Sequence, residues 1–233
     1  MRPEEKLREA VLRLRALYGR LEPPGDTSDP FKVLIRTILS QNTSYKNELK
    51  AYRALEERLG VEPGRLADAD VELIAECIRP AGQHRQRAIR IRQVARSVLE
   101  RYGGDLWALL KSEPLEAVRK ELMSLPGVGR KTADIVLLFC AKRPVFPVDR
   151  HIKRIFLRLG LVDREDYEAA RALAEEVLEP GDYLFAHLAF IRLGREVCRA
   201  RRPSCRKCPL SDLCDYAASG EHALGSPPLR GGR

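Results

Sequence analysis

The stretch Leu125-Pro126-Gly127-Val128-Gly129-Arg130-Lys131-Thr132-Ala133 lies between two segments of helical character, and its residue types describe a tight corner. Pro126 presets the backbone angle that starts a turn, while Gly127 and Gly129 admit angles and close approaches that a side chain would forbid. The amides that follow converge at the start of the next helix, where unpaired N–H groups and the helix dipole suit one phosphate of a nucleic-acid backbone. Such a contact is independent of base sequence. A Pro-Gly-x-Gly turn alone also fits many helix–helix corners. With Arg130-Lys131 directly behind it in a basic, helical chain, it reads as a helix–hairpin–helix that offers Gly127, Val128, Gly129 and Arg130 to DNA.

Outward from that corner the pattern is helical. Leu7, Val11, Leu14 and Leu17 recur at helical spacing before Asp26–Pro30 breaks it. Further helices are expected at 31–39, 45–59, 71–78 and 85–102, the last placing Ile91, Val94, Val98 and Tyr102 on one face. Others follow at 114–123 with Pro114 as first helical residue, at 135–141, 150–159, 165–178 and 183–197. No alternation of period two appears, so the fold class is all-α. Residues 217–233, rich in Gly and Pro from Glu221 on, are expected to be a disordered tail.

The 233 residues carry 44% apolar side chains, enough for a folded core. No apolar run approaches the roughly 20 residues that span a bilayer, and the charged start MRPEEKLREA does not read as a secretory signal. No membrane partner and a cytoplasmic location are therefore expected. Net charge is +9, and the excess is concentrated. Residues 79–101 hold seven arginines and one acid, Glu100, and residues 195–207 hold six basic side chains and one acid, Glu196. Concentrated patches fit a polyanion better than an even spread does.

Cys198, Cys205, Cys208 and Cys214 follow the spacing C-x6-C-x2-C-x5-C. Four thiolates in one short loop can wrap a compact metal centre, and thiolates favour zinc or iron–sulfur. Zinc sites more often use paired CxxC knuckles, of which only one is present, and spacing alone leaves both open. Cys77 and Cys140 sit in apolar helical stretches and read as core. Arg199, Arg201, Arg202, Arg206 and Lys207 lie among the ligands. A ligated loop would present them to phosphates at fixed positions; they would also offset the negative charge of the thiolates.

Lys131, an amine directly behind the hairpin, and Asp149, a carboxylate directly before a helix, are the two candidate reactive side chains. A helix N-terminus and Arg130 both push a lysine pKa down, the direction a nucleophilic amine requires. A lysine behind a hairpin also serves as a plain phosphate contact, and an Asp after Pro147-Val148 also serves as a helix N-cap.

The hairpin at 125–133, the segment Pro147-Val148-Asp149-Arg150-His151 and the cysteine spacing, in this order, resemble the endonuclease III family of helix–hairpin–helix DNA glycosylases, over about Phe31 to Cys214. The resemblance implies that Lys131 is the nucleophile, Asp149 the essential carboxylate, and the four cysteines the ligands of a [4Fe-4S] cluster. In that chemistry the carboxylate stabilises the positive charge that develops on the sugar as the N-glycosidic bond breaks, and the amine attacking C1′ gives an imine that permits β-elimination. An amine at 131 points to a glycosylase with AP lyase activity, acting as a monomer on oxidised or ring-saturated pyrimidines, or abasic sites, in double-stranded DNA. Monofunctional mismatch relatives carry a non-amine there. Gln41 matches the family's gap-filling glutamine, and Gln83 stands where the family inserts an apolar wedge. Ser44 and His151 match positions beside the pocket. The implied architecture is two helical domains flanking a DNA-binding cleft that Lys131 and Asp149 face: a six-helix barrel over 31–142, and a cluster domain over 1–30 plus 143–216. Other outcomes are a monofunctional T/U or A mismatch glycosylase, a non-catalytic iron–sulfur DNA-binding protein, and a zinc-stapled DNA-binding module.

Overall fold

The computed structural model describes residues 1–220. In chain order the α-helices are α1 (Pro3–Tyr18), α2 (Pro30–Ser40), α3 (Tyr45–Leu59), α4 (Pro63–Asp68), α5 (Val71–Ile78), α6 (His84–Tyr102), α7 (Trp107–Lys111), α8 (Leu115–Met123), α9 (Arg130–Phe139), α10 (Arg150–Leu159), α11 (Tyr167–Val177), α12 (Tyr183–Glu196) and α13 (Asp215–Ala218). No strand occurs among the described residues, so the all-α expectation holds. None of these helices is long and apolar enough to cross a membrane.

Capping residues set most boundaries. Asp29, Ser44, Asp70, Asp149 and Asp166 each accept first-turn amides of α2, α3, α5, α10 and α11, which satisfies donors that a helix start leaves unpaired. Three expectations need correction. The helix after the hairpin starts at Arg130, not Ile135, because the polar Arg130-Lys131-Thr132 forms a first turn that apolar periodicity does not register. Pro114 is the N-cap of α8 and not its first helical residue. The chain is also still helical at Ala217 and Ala218, where a disordered tail was expected; the rest of that expectation, 221–233, lies outside the described residues.

The chain divides into two compact units. One runs Gly25–Arg143 and contains α2 to α9. Within it α6 packs on α4 and α5, α3 on α5, and α2 on both α3 and α9, while α8 packs on α9. Leu34, Ile35, Ile38, Leu55, Leu66, Ile74, Ile91, Val94 and Val98 are fully or almost fully buried. Burying each large apolar side chain contributes about 1.5–3 kcal/mol.

The other unit joins Met1–Pro24 to the chain from Pro144 onward. Here α12 packs on α1 and α10, and α10 also on α11 and α13. Phe146, Phe156 and Phe190 are fully buried, with Phe156 edge-on to Phe190 at 5.3 Å and stacked on Phe146 at 6.4 Å. Gly194 lets α12 close on α10, since a Cβ there would sit 2.7 Å from the Cβ of His151.

Candidate functional site

The hairpin is a type II turn. The N–H of Val128 donates to the Leu125 carbonyl at 3.1 Å, Pro126 stands at the second position, and Gly127 takes φ +75° at the third, a left-handed angle that favours glycine. Val128 is buried and its N–H is committed to the turn, so it anchors the hairpin. Gly129 differs from Gly127. Its φ of −98° is open to any residue, and a Cβ there would meet nothing within 4 Å. It starts α9 without a side-chain cap of its own. Lys131 follows in that first turn, half-buried, and Arg130 is exposed.

A buried ion pair fixes α8 against α9. Arg119 donates from Nε to Asp134 Oδ1 at 2.6 Å and from a terminal nitrogen to Oδ2 at 3.2 Å, with side chains 6% and 0% exposed. Sequence patterning missed it because both residues fall on helical stretches where a surface charge is the default.

Two loops of the same unit carry the gap-filling candidates. Gln41 ends α2, and its side-chain amide donates to the Gly127 carbonyl at 3.4 Å, tying it to the hairpin. Gln83 is exposed and starts α6 with a left-handed backbone (φ +49°) and no capping bond. Ser44 caps α3 by accepting from the Asn47 N–H at 3.2 Å, which gives its hydroxyl a structural task. Arg87, one of the seven arginines of the 79–101 patch, does not belong to the surface at all; it is 4% exposed.

In the other unit, side chains clamp the backbone leading to Asp149. The Phe146 N–H donates to Glu175 at 2.8 Å, His187 Nδ1 donates to the Pro147 carbonyl at 2.8 Å, and the Val148 N–H donates to the Tyr167 hydroxyl at 3.3 Å. Asp149 then caps α10 through Oδ1, accepting the His151 and Ile152 amides at 2.8 and 2.9 Å. The cap reading of Asp149 is therefore correct, and it uses one oxygen of two. His151 accepts from Arg154 at 3.0 Å through Nδ1, and burial holds its pKa below the usual histidine value. Arg154 continues to the Cys198 carbonyl at 2.8 Å and the Gly194 carbonyl at 3.1 Å.

Cys198, Cys205, Cys208 and Cys214 line one small cavity, partly open to solvent, with Arg158, Tyr216 and Ala217. Among the described residues no three His, Cys, Asp or Glu side chains converge on a single ion. Arg158 donates to Cys198 Sγ at 3.3 Å, and its guanidinium lies 4.7 Å from the centre of the Tyr216 ring. Burial pushes the Cys208 thiol up to about 11 and raises Cys205 and Cys214, with neighbouring cysteine sulfurs adding to each. Four thiolates so placed repel one another unless a cationic centre binds them, so the donor set suits a metal centre. The flanking Arg199, Arg201, Arg202, Arg206 and Lys207 are all exposed. Cys140 and Cys77 are buried core residues, the former pushed by burial up to about 12.

The sequence matches the family model of HhH-GPD superfamily base excision DNA repair proteins over residues 35–180. The chain belongs to that superfamily, a class of DNA glycosylases. Endonuclease III of Thermotoga maritima is 37% identical over 202 residues, 87% of this chain and 90% of that protein. The thymine-DNA glycosylase of Aeropyrum pernix is 30% identical over 222 residues, 91% of this chain and 94% of that one. A trapped endonuclease III–DNA covalent intermediate shares the fold with a TM-score of 0.81 at 26% identity, covering 94% of this chain and 98% of that structure's.

Proposed function

We propose that this glycosylase removes oxidised or ring-saturated pyrimidines from duplex DNA as a monomer and then cleaves the strand by β-elimination, with Lys131 as nucleophile and Asp149 as its carboxylate partner. The observation that carries the reading is an amine, Lys131, in the first turn of a helix whose N-terminus no side chain caps. An uncapped helix start attracts a phosphate, and Gly129, which needs glycine neither for its angle nor for space within the protein, leaves room for the DNA backbone to approach. The neighbouring lysine then lies close to the sugar of the bound strand.

The steps balance as follows. Lys131 Nζ bonds to C1′, the C1′–N bond to the base breaks, and the base leaves with a proton. As positive charge develops on the sugar, Asp149 stabilises it through Oδ2, its Oδ1 being held by the α10 amides. Ring opening gives an imine, loss of a C2′ proton expels the 3′ phosphate, and water releases Lys131. Gln41 and Gln83 fill the space of the extruded nucleotide, each offering an amide that both donates and accepts.

The four cysteines hold a [4Fe-4S] cluster in this reading. Cys198, Cys205, Cys208 and Cys214, which line one cavity, are the residues that would hold it, and thiolates are the ligands such a cluster takes. When bound, the group supplies a rigid cross-link, and the arginines of its loop then meet phosphates without further ordering.

A second reading, mismatch glycosylase without lyase action, draws on the Aeropyrum relative and on a polar Gln83 at the wedge position. A panel of duplexes with oxidised pyrimidines, T/G and U/G mismatches separates the two. The proposal expects nicking of oxidised-pyrimidine duplexes by the wild type, with nicking lost and DNA binding kept in Lys131→Ala. Base release from mismatches alone, unaffected by Lys131→Ala, contradicts it.

A further inference from the structure

Arg87 is a buried cation with no acidic partner among the described residues. Its guanidinium donates only to main-chain carbonyls, at 2.6 Å to Leu39, 3.2 Å to Ala81 and 2.7 Å to Gln41. Leu39 and Gln41 belong to the end of α2, and Ala81 closes the short 3-10 turn Arg79–Ala81 that leads into Gln83. One side chain thus holds two segments far apart in sequence, each ending in an amide proposed to enter DNA. The carboxyl end of α2 favours a cation there, and burial lowers the Arg87 pKa without an acid to oppose it.

Both segments are also strained where they would meet DNA. Asn42, next to Gln41, takes φ +54°, and Gln83 takes φ +49°, left-handed angles that non-glycine residues rarely adopt unless their surroundings impose them. Arg87 is the group that touches both surroundings. The same cluster reaches the hairpin, since Gln41 bonds to the Gly127 carbonyl and a Cβ on Gly127 would meet the Arg90 side chain at 3.1 Å.

We propose that Arg87 is a positioning residue that couples the two loops, so that Gln41 and Gln83 enter the base stack as one preset pair. This rests on the glycosylase reading above and deepens it. Two amides fixed relative to each other occupy the gap together, and the extruded nucleotide meets a filled stack on its return path. An arginine that merely stapled the fold would affect every activity in proportion to the folded fraction.

The test uses the full chain with Arg87→Met, Arg87→Lys and the double variant Gln41→Ala/Gln83→Ala. Insertion is read on a duplex carrying a stable abasic-site analogue opposite 2-aminopurine, whose fluorescence reports unstacking without catalysis. Single-turnover excision of an oxidised pyrimidine is compared with nicking of a preformed abasic site, and circular dichroism reports folding. Arg87→Met is expected to abolish the insertion signal and to slow excision roughly tenfold or more, the scale of a misplaced contact. Nicking at the abasic site, where no base must be extruded, changes by less than about twofold. Arg87→Lys, which keeps the charge but not the fork, falls between. In the double-variant background Arg87→Met adds no further loss of excision.

Equal loss of both activities, intact insertion in Arg87→Met, or additive loss in the double-variant background overturns the coupling. Should Arg87→Met not fold, Arg87→Lys decides, weakened insertion at an unchanged melting temperature supporting the proposal and wild-type insertion overturning it. A wild type that inserts but excises no oxidised pyrimidine sinks the proposed substrate and leaves the coupling standing. One that excises without inserting sinks the coupling alone.

Discussion

Gly127 and Gly129 are glycine for different reasons, although one residue apart from being neighbours. Gly127 needs its positive φ and lies against Arg90, whereas Gly129 has an ordinary angle and open space. Gly127→Ala is expected to destabilise the fold by about 1–2 kcal/mol, the cost of a left-handed angle for an L-residue, read as a lower urea midpoint. Gly129→Ala leaves that midpoint unchanged and weakens binding to abasic duplex roughly tenfold, about 1.4 kcal/mol. Unchanged DNA affinity in Gly129→Ala would remove the phosphate from the α9 terminus. Both glycines were visible in the sequence, but only coordinates separate an angle from an approach. Asp149 is similar: the sequence left cap and catalyst as alternatives, and the one-oxygen cap shows that a single carboxylate has an oxygen for each role.

Among the elements, α3, α5 and α10 have the bounds that their periodicity and flanking caps indicate. Short α4 and α7 escaped because a helix of one or two turns contains too few apolar repeats to register. The start of α9 escaped because its first turn is polar, and that turn holds the proposed nucleophile. Contacts between elements are less legible still. Gly194 sits in the last turn of α12, still inside the helix where glycine is unfavourable, and its reason is the approach of His151 from α10. Gly194→Ala should cost about 1–3 kcal/mol from overpacking, seen as a fall of several degrees in Tm. An unchanged Tm would mean that α10 and α12 do not pack this closely.

For the whole molecule, composition announced a polyanionic partner but not which charges meet it. Of the arginines in the 79–101 patch, Arg87 is buried and Arg101 pairs with Glu121, while Arg119, outside both patches, pairs with Asp134 inside the protein. Arg87 falls one turn before Ile91 on the buried face of α6, a position that helical spacing marks but that its charge disguises. Arg130, Arg199, Arg201, Arg202, Arg206 and Lys207 are exposed and are the side chains proposed to meet phosphates. If these set the affinity, log K for duplex falls against log salt with a slope of about −5. A slope near zero would mean that the charge excess serves solubility.

The most direct measurement is borohydride reduction of the wild-type chain on a duplex carrying one oxidised pyrimidine, followed by peptide mapping of the cross-linked product. The account expects a stable protein–DNA adduct whose attachment maps to Lys131 and disappears in Lys131→Ala. Full base release with no adduct, or an adduct mapped to another amine, would contradict it.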